Sequence, residues 1–92
     1  MPQEPNDNPL SPSGDLAAFQ VAFGKVIAIR ESNTGLSQRA FARRADISNS
    51  HLREIENGER NLKMQTVIKL AIALGTTPSE LIKEAESRIG WE

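Results

Sequence analysis

The chain has 92 residues, 38% of them apolar and 25% charged, which is the profile of one soluble globular domain with no material for a second core. There is no cysteine, so disulfide frameworks, thiolate metal sites and cysteine nucleophiles are excluded, and a single histidine, His51, cannot build a multi-histidine metal site. No apolar run is long enough to span a bilayer, and the N-terminal MPQEPNDNPLSPSG lacks a secretion signal. The expectation is a cytoplasmic protein with no membrane partner, no metal, no cofactor and no catalytic residue.

The formal net charge of −1 argues against a nucleic-acid partner, but it is unevenly spread. Residues 1–15 hold Glu4, Asp7 and Asp15 with no Lys or Arg, so residues 16–92 carry 11 positive against 9 negative side chains, a balance of +2.

The first fourteen residues contain Pro2, Pro5, Pro9 and Pro12, each of which removes a donor and biases its predecessor away from helix. Residues 1–14 read as a flexible arm, either simply solvated or with a DNA-contacting or regulatory role, ahead of a domain spanning 15–92. From Leu16 to Ser32, Leu16, Phe19, Ala22, Phe23 and Val26 recur at three- and four-residue steps, predicting an amphipathic first helix capped by Ser13 or Asp15. After a turn at Asn33–Gly35, Ser37 caps a short second helix over Gln38–Ala45 that buries Phe41, Ala42 and Ala45. Asp46 and Ile47 form the next turn, and Ser48 caps a third helix of about nine residues that Asn57 and Gly58 stop.

A fourth helix from about Lys63 to Leu74 carries Met64, Val67, Ile68, Ala71 and Leu74 on one stripe and stops at Gly75. Thr77, Pro78 and Glu80 supply a capping box with proline at the first helical position, opening a fifth helix through Leu81, Ile82, Ala85 and Ile89. No strand pattern competes, so the fold class is all-α, a five-helix bundle. Ile89 and Trp91 either fold back on the core or meet a second copy.

Two short helices joined by a three- or four-residue turn, with small Ala42 and Ala45 where they cross and Ile47 plugging the turn, form a helix-turn-helix. In that motif the second helix enters the DNA major groove. With Leu52 and Ile55 defining the buried direction, Ser50, Arg53, Glu54 and Asn57 lie roughly 130° to 180° from it, and Asn49 and His51 fall on the flanks. Every outward position can hydrogen-bond to base edges or phosphates, although a solvated helix face has the same composition.

The stretch LSQRAFARRADISNSHLREIENGERNLKMQTVIKLAIALGTTPSEL, Leu36 to Leu81, resembles the Cro/cI (XRE-like) phage-repressor type of helix-turn-helix. The LSQ start, the small residue at Ala42, the Ile47-Ser48 turn, the Leu52…Ile55-Glu56-Asn-Gly exit and the later LAIALG carry the likeness. It implies double-stranded DNA as partner. It also implies that Gln38 holds a phosphate at the start of the second helix, that Asn49, Ser50 and Glu54 face bases, and that His51, Arg53 and Asn57 meet phosphates or neighbouring bases. Chemically, Asn49 suits adenine and Glu54 can accept from a cytosine amino group. Away from such an amine Glu54 repels phosphate and so rejects wrong sequences. Arg39, Arg43, Arg44 and Arg60 are either further phosphate contacts or solvated charges.

Arg30 falls within about 30° of the centre of the first helix's apolar stripe, and Glu56 lies about 70° from the buried direction of the third helix. An unpaired buried charge costs several kcal/mol, roughly 3–5. The expectation is therefore an Arg30–Glu56 ion pair that clamps the third helix to the first. The resemblance implies such a pair, although Arg30 stands one residue further from the LSQ start than usual. His51 as a general base or metal ligand finds no second histidine, cysteine or carboxylate cluster to work with.

A small groove-reading domain gains affinity by pairing two recognition helices about 34 Å apart. A homodimer on a near-palindromic operator, acting as a sequence-specific transcriptional regulator and repressor, is the reading of the whole chain. The alternative is a protein-interaction module of the same fold, antitoxin-like, with a protein partner and secondary DNA binding.

Overall fold

The computed structural model describes residues 12–59 and 61–91, and among these it contains five helices and no strand. They are α1 (Pro12–Asn33), α2 (Gln38–Arg44), α3 (Asn49–Glu56), α4 (Met64–Leu74) and α5 (Pro78–Arg88). The all-α, five-helix expectation holds. Most of the expected arm, residues 1–11, lies outside the described residues, as do Arg60 and the side chain of Ser13, one of the two expected caps. None of the helices is long and apolar enough to cross a membrane.

The first helix begins at Pro12 rather than near Leu16. Proline is suited to a first helical turn because its missing N–H has no partner there anyway. Asp15 accordingly sits within that turn, where a carboxylate complements the helix dipole.

Three of the expected caps form. The hydroxyls of Ser37, Ser48 and Thr77 accept from the backbone N–H groups of Ala40, His51 and Glu80 at 3.0, 3.0 and 3.2 Å. Each satisfies a donor that a helix start leaves open.

The core is built on Phe23, Ile27, Phe41, Leu52, Ile55, Leu70 and Leu81, all fully buried. Its spine is α1, which packs most extensively on α5 and then on α3. An eight-residue helix such as α3 is unstable alone. Burial of Leu52 and Ile55, worth about 1.5–3 kcal/mol each, is what holds it in place.

Two details of the sequence reading change. Leu16 is exposed, because the fully buried stripe of α1, Ala22, Phe23, Val26 and Ile27, starts six residues later. On α4 the buried residues are Thr66, Val67, Leu70, Ala71 and Ala73, whereas Met64, Ile68 and Ile72 form an exposed apolar row at four-residue steps. Eight of the eleven positions of α4 are apolar, so its apolar side is wider than its buried side, and spacing alone does not say which edge turns to solvent.

The C-terminus folds back: Ile89 packs against the core, and the Trp91 ring stacks on Phe19 with centroids 6.0 Å apart.

Candidate nucleic-acid interface

The geometry of α2 and α3 follows from the four residues between them. Ala42 and Ala45 are buried at the crossing, where any larger side chain would separate the helices. The chain then reverses at Asp46, which has a left-handed backbone with φ of 59°, while the Ile47 N–H bonds back to the Ala42 carbonyl at 3.0 Å. This is the usual left-handed exit from a helix, made here by an aspartate rather than glycine. Lys69 of α4 braces the turn, with its Nζ 3.2 Å from the Asp46 carbonyl and 3.4 Å from Oδ2. Ile47 tucks against the core as the turn's plug.

Behind α3 the contact with α1 is backbone to backbone. A Cβ at Gly24 would stand 2.3 Å from the Ile55 carbonyl oxygen and 2.9 Å from that of Glu56. Gly58, left-handed at φ 72°, closes the same seam, and a Cβ there would stand 3.0 Å from the Val21 Cα. The end of α3 is thus seated directly on α1, which fixes the direction in which its opposite face points.

That opposite face carries Ser50, Arg53, Glu54 and Asn57 at i, i+3, i+4 and i+7, on one side of the helix. Ser50, Arg53 and Asn57 are exposed, and Glu54 and His51 are half-buried. Asn49 is half-buried, and its Oδ1 is fully enclosed without a hydrogen-bond partner. Arg39, Arg43 and Arg44 of α2 are exposed. Arg39 and Arg43 line a concavity together with Asp46, Ile47, Ser48 and Asn49, which brings two guanidinium-bearing residues alongside the start of α3. Arg60 lies outside the described residues.

The expected Arg30–Glu56 pair does not form. Arg30 instead bonds Glu84 of α5 in a two-pronged pair, with Nε donating to Oε1 at 3.0 Å and Nη2 donating to Oε2. Both side chains remain partly exposed, at 29% and 40%, so the guanidinium lies along the rim of the α1/α5 seam rather than inside the domain. The hydrogen bond from Arg30 holds the Glu84 carboxyl below the usual carboxylate range, against the opposing effect of burial. The physical reason is angular. On α1, Gly24 meets Ile55 and Glu56 of α3, Val21 meets Gly58 just beyond it, and Glu31, seven positions on from Gly24, neighbours Glu56. Arg30, one step of about 100° away, faces α5 instead.

Glu56 takes a different partner, accepting a hydrogen bond on Oε1 from Gln38 Nε2 at 2.8 Å. Its Oε2 is buried with no donor. Burial first, and then the hydrogen-bonding and charge of the neighbouring Glu31 carboxyl, push the Glu56 pKa up, opposed by the bond from Gln38. Gln38 is therefore the link between the start of α2 and the end of α3.

Two short helices crossing on alanines, a polar outward face on the second and a flanking row of arginines define a helix-turn-helix DNA-binding transcriptional regulator. A family model described as helix-turn-helix matches residues 26–81, and the chain belongs to that family, the Cro/cI-like type its sequence resembles. The control protein C.MunI of a Mycoplasma species is 37% identical over 69 residues, which cover 74% of this chain and 93% of that protein. The control protein C.BamHI of Bacillus amyloliquefaciens is 34% identical over 65 residues, covering 70% of this chain and 80% of that one. Among solved structures, the restriction-modification controller protein C.AhdI of Aeromonas hydrophila superposes with a TM-score of 0.69 at 34% identity, over 73% of this chain and 97% of that chain. The clp gene regulator ClgR of Corynebacterium glutamicum shares the fold, with a TM-score of 0.73 at 21% identity over 78% of this chain and 77% of that one.

Sequence reasoning missed Gly24, Glu31 and Glu84, and it placed Asp46 in the turn without its left-handed backbone. Gly24 did leave a signal, a lone glycine inside an amphipathic helical pattern, which marks a close backbone approach.

Proposed function

We propose that the protein controls transcription by setting α3 in the major groove of a specific operator, as a regulator of restriction-modification genes. The observation that carries the groove reading is the exposure of Ser50, Arg53 and Asn57 on the side of α3 opposite the buried Leu52 and Ile55. Ser50 and Glu54 face base edges in this reading, and Asn49, whose Oδ1 is enclosed, offers only its amide N–H groups there. His51, Arg53 and Asn57, with Arg39 and Arg43 beside them, meet phosphates or adjacent bases, and Gln38 positions the domain on a phosphate. The role in restriction-modification control is supported by the likeness to two control proteins and to a controller protein of that description. On this reading the protein represses by occluding a promoter that its operator overlaps, and it works in the cytoplasm.

The active species is a homodimer on a near-palindromic site. The exposed row Met64, Ile68 and Ile72 on α4 supports this, since three large apolar side chains in line on an exposed helix face suit a second copy.

The test is to measure binding to the DNA upstream of the chain's own gene and of any adjoining endonuclease or methyltransferase gene, at several salt concentrations, against scrambled DNA of equal length. A regulator with an operator there binds the natural segment at least about 10³-fold more tightly. Equal affinity for both rules the operator out.

A further inference from the structure

Two routes connect α4, which carries the exposed row Met64, Ile68 and Ile72, to the reading helix α3. The first runs through the body of the domain: α4 packs on α1, and α1 receives the end of α3 at Gly24. It leaves the start of α3, where Asn49 and Ser50 sit, about one and a half turns from that seat. The second route is direct. Lys69, half-buried on α4, reaches the turn that precedes α3, with Nζ donating to the Asp46 carbonyl at 3.2 Å and standing 3.4 Å from Oδ2. The N–H groups of the same turn bond back to α2, that of Asp46 to the Arg43 carbonyl at 3.1 Å and that of Ile47 to the Ala42 carbonyl at 3.0 Å. Those bonds tie the turn to α2, and the Asp46 carbonyl is where α4 holds it. An ammonium donor makes this a stronger bond than a neutral one. Around α4, Lys69 lies about 60° from Ile72 and about 100° from Ile68, so the donor neighbours the apolar row.

We infer that Lys69 is a positioning residue that fixes each reading helix relative to the dimer contact, and so sets the half-site spacing the protein accepts. The inference rests on the proposed dimer through the α4 row and on α3 as the reading helix. In a two-fold dimer that meets on α4, each α3 is placed relative to the axis by what ties it to α4, and any play in that tie occurs on both sides. With Lys69 in place the start of α3 is held, and one spacing presents base edges to both helices at once. Without the donor each α3 pivots about its seat at Gly24, and an operator one base pair too short or too long is met with less loss. The Asp46 carboxylate, 89% exposed, adds little to this; the bond to its carbonyl is the one that holds the backbone.

The probe is a symmetric duplex carrying the half-sites that the wild type recovers from a randomised library, made at the recovered spacing and with one base pair removed from or added to its centre. Affinity for the three duplexes is measured for wild type, for Lys69→Met, which keeps the stem and loses the donor, and for Lys69→Arg, which supplies a donor again. Helicity and sedimentation of each protein are measured alongside, and Lys69→Ala takes the place of K69M if that variant loses helicity.

The expected result is that wild type and K69R prefer the recovered spacing, while in K69M, still a dimer, that preference falls roughly two- to fivefold, the range a partly exposed charged contact supplies. An unchanged preference in K69M overturns the inference. So does an equal loss on all three duplexes with a shallower salt dependence, which makes Lys69 a phosphate contact instead. The two failures are separable. A wild type that binds all three duplexes alike removes the dimer reading and the role of Lys69 with it, whereas a wild-type preference that K69M shares in full leaves the dimer reading standing and removes only the role of Lys69.

Discussion

Gly24 on α1 and Ile55 on α3 approach so closely that a methyl group on the glycine would stand 2.3 Å from the Ile55 carbonyl oxygen. The atom met is backbone, with no flexible side chain to move aside. This contact, rather than an ion pair, seats the recognition helix on the body of the domain.

Gly24→Ala therefore forces α3 away from α1. The expected loss of stability is about 1–3 kcal/mol by urea denaturation, despite alanine's better helix propensity. In protein that remains folded, operator affinity falls because the outward face of α3 is turned. Unchanged stability in G24A would show that the two helices are not held this close in solution.

Asp46 makes the opposite prediction. Its left-handed backbone costs an L-residue about 1–2 kcal/mol, less for aspartate than for most, and glycine is free of that cost. The ion pair with Lys69 that Asp46→Gly would lose involves a highly exposed carboxylate and is worth under about 1 kcal/mol. D46G is expected to raise the melting temperature slightly, while Asp46→Val, β-branched in the same conformation, lowers it.

The Arg30–Glu84 pair has a pH signature. Arg30 depresses the Glu84 pKa in the folded state, so its stabilisation is present above the unfolded carboxylate value and disappears as pH falls through the folded one. Glu84→Gln should destabilise at about pH 7 and less at about pH 3, because the stabilisation declines as the wild-type carboxyl takes up its proton. Both side chains are partly exposed, so the effect is small and declines with added salt. An equal cost at both pH values would assign Glu84 a packing role instead.

The apolar row on α4 is tested by oligomeric state. Ile72, 73% exposed, contributes little to the core, so Ile72→Glu should leave helicity and melting of the monomer intact while shifting sedimentation from dimer to monomer. A wild type that sediments as a monomer at all concentrations contradicts the proposed dimer.

What the sequence made legible was local. The five helices, the serine and threonine caps, the alanine crossing and the outward residues of α3 follow from spacing and capping chemistry within a few residues of one another. What stayed hidden depended on which neighbour each face meets. The wheel placed Arg30 on the inner side of α1 but could not say that this side is divided between α3 and α5, a difference of one residue step that exchanges Glu56 for Glu84. The stripe on α4 was right for Val67, Ala71 and Leu74, which face the core, but it took in Met64 and Ile68, because the apolar side of this helix is wider than the part that is covered. Asp46 was read as a turn residue, but its left-handed conformation, which its type tolerates better than most, was not foreseen.

The most direct measurement is selection from a randomised duplex library by wild type, Ser50→Ala, Glu54→Gln and Gln38→Ala. With α3 in the groove, the wild type recovers one near-palindromic site, S50A and E54Q each change the preferred base at symmetric positions, and Q38A recovers the wild-type site with weaker binding to every sequence. Recovery of the same site by S50A and E54Q, or of no common site by the wild type, would contradict the assignment of α3 as the reading helix.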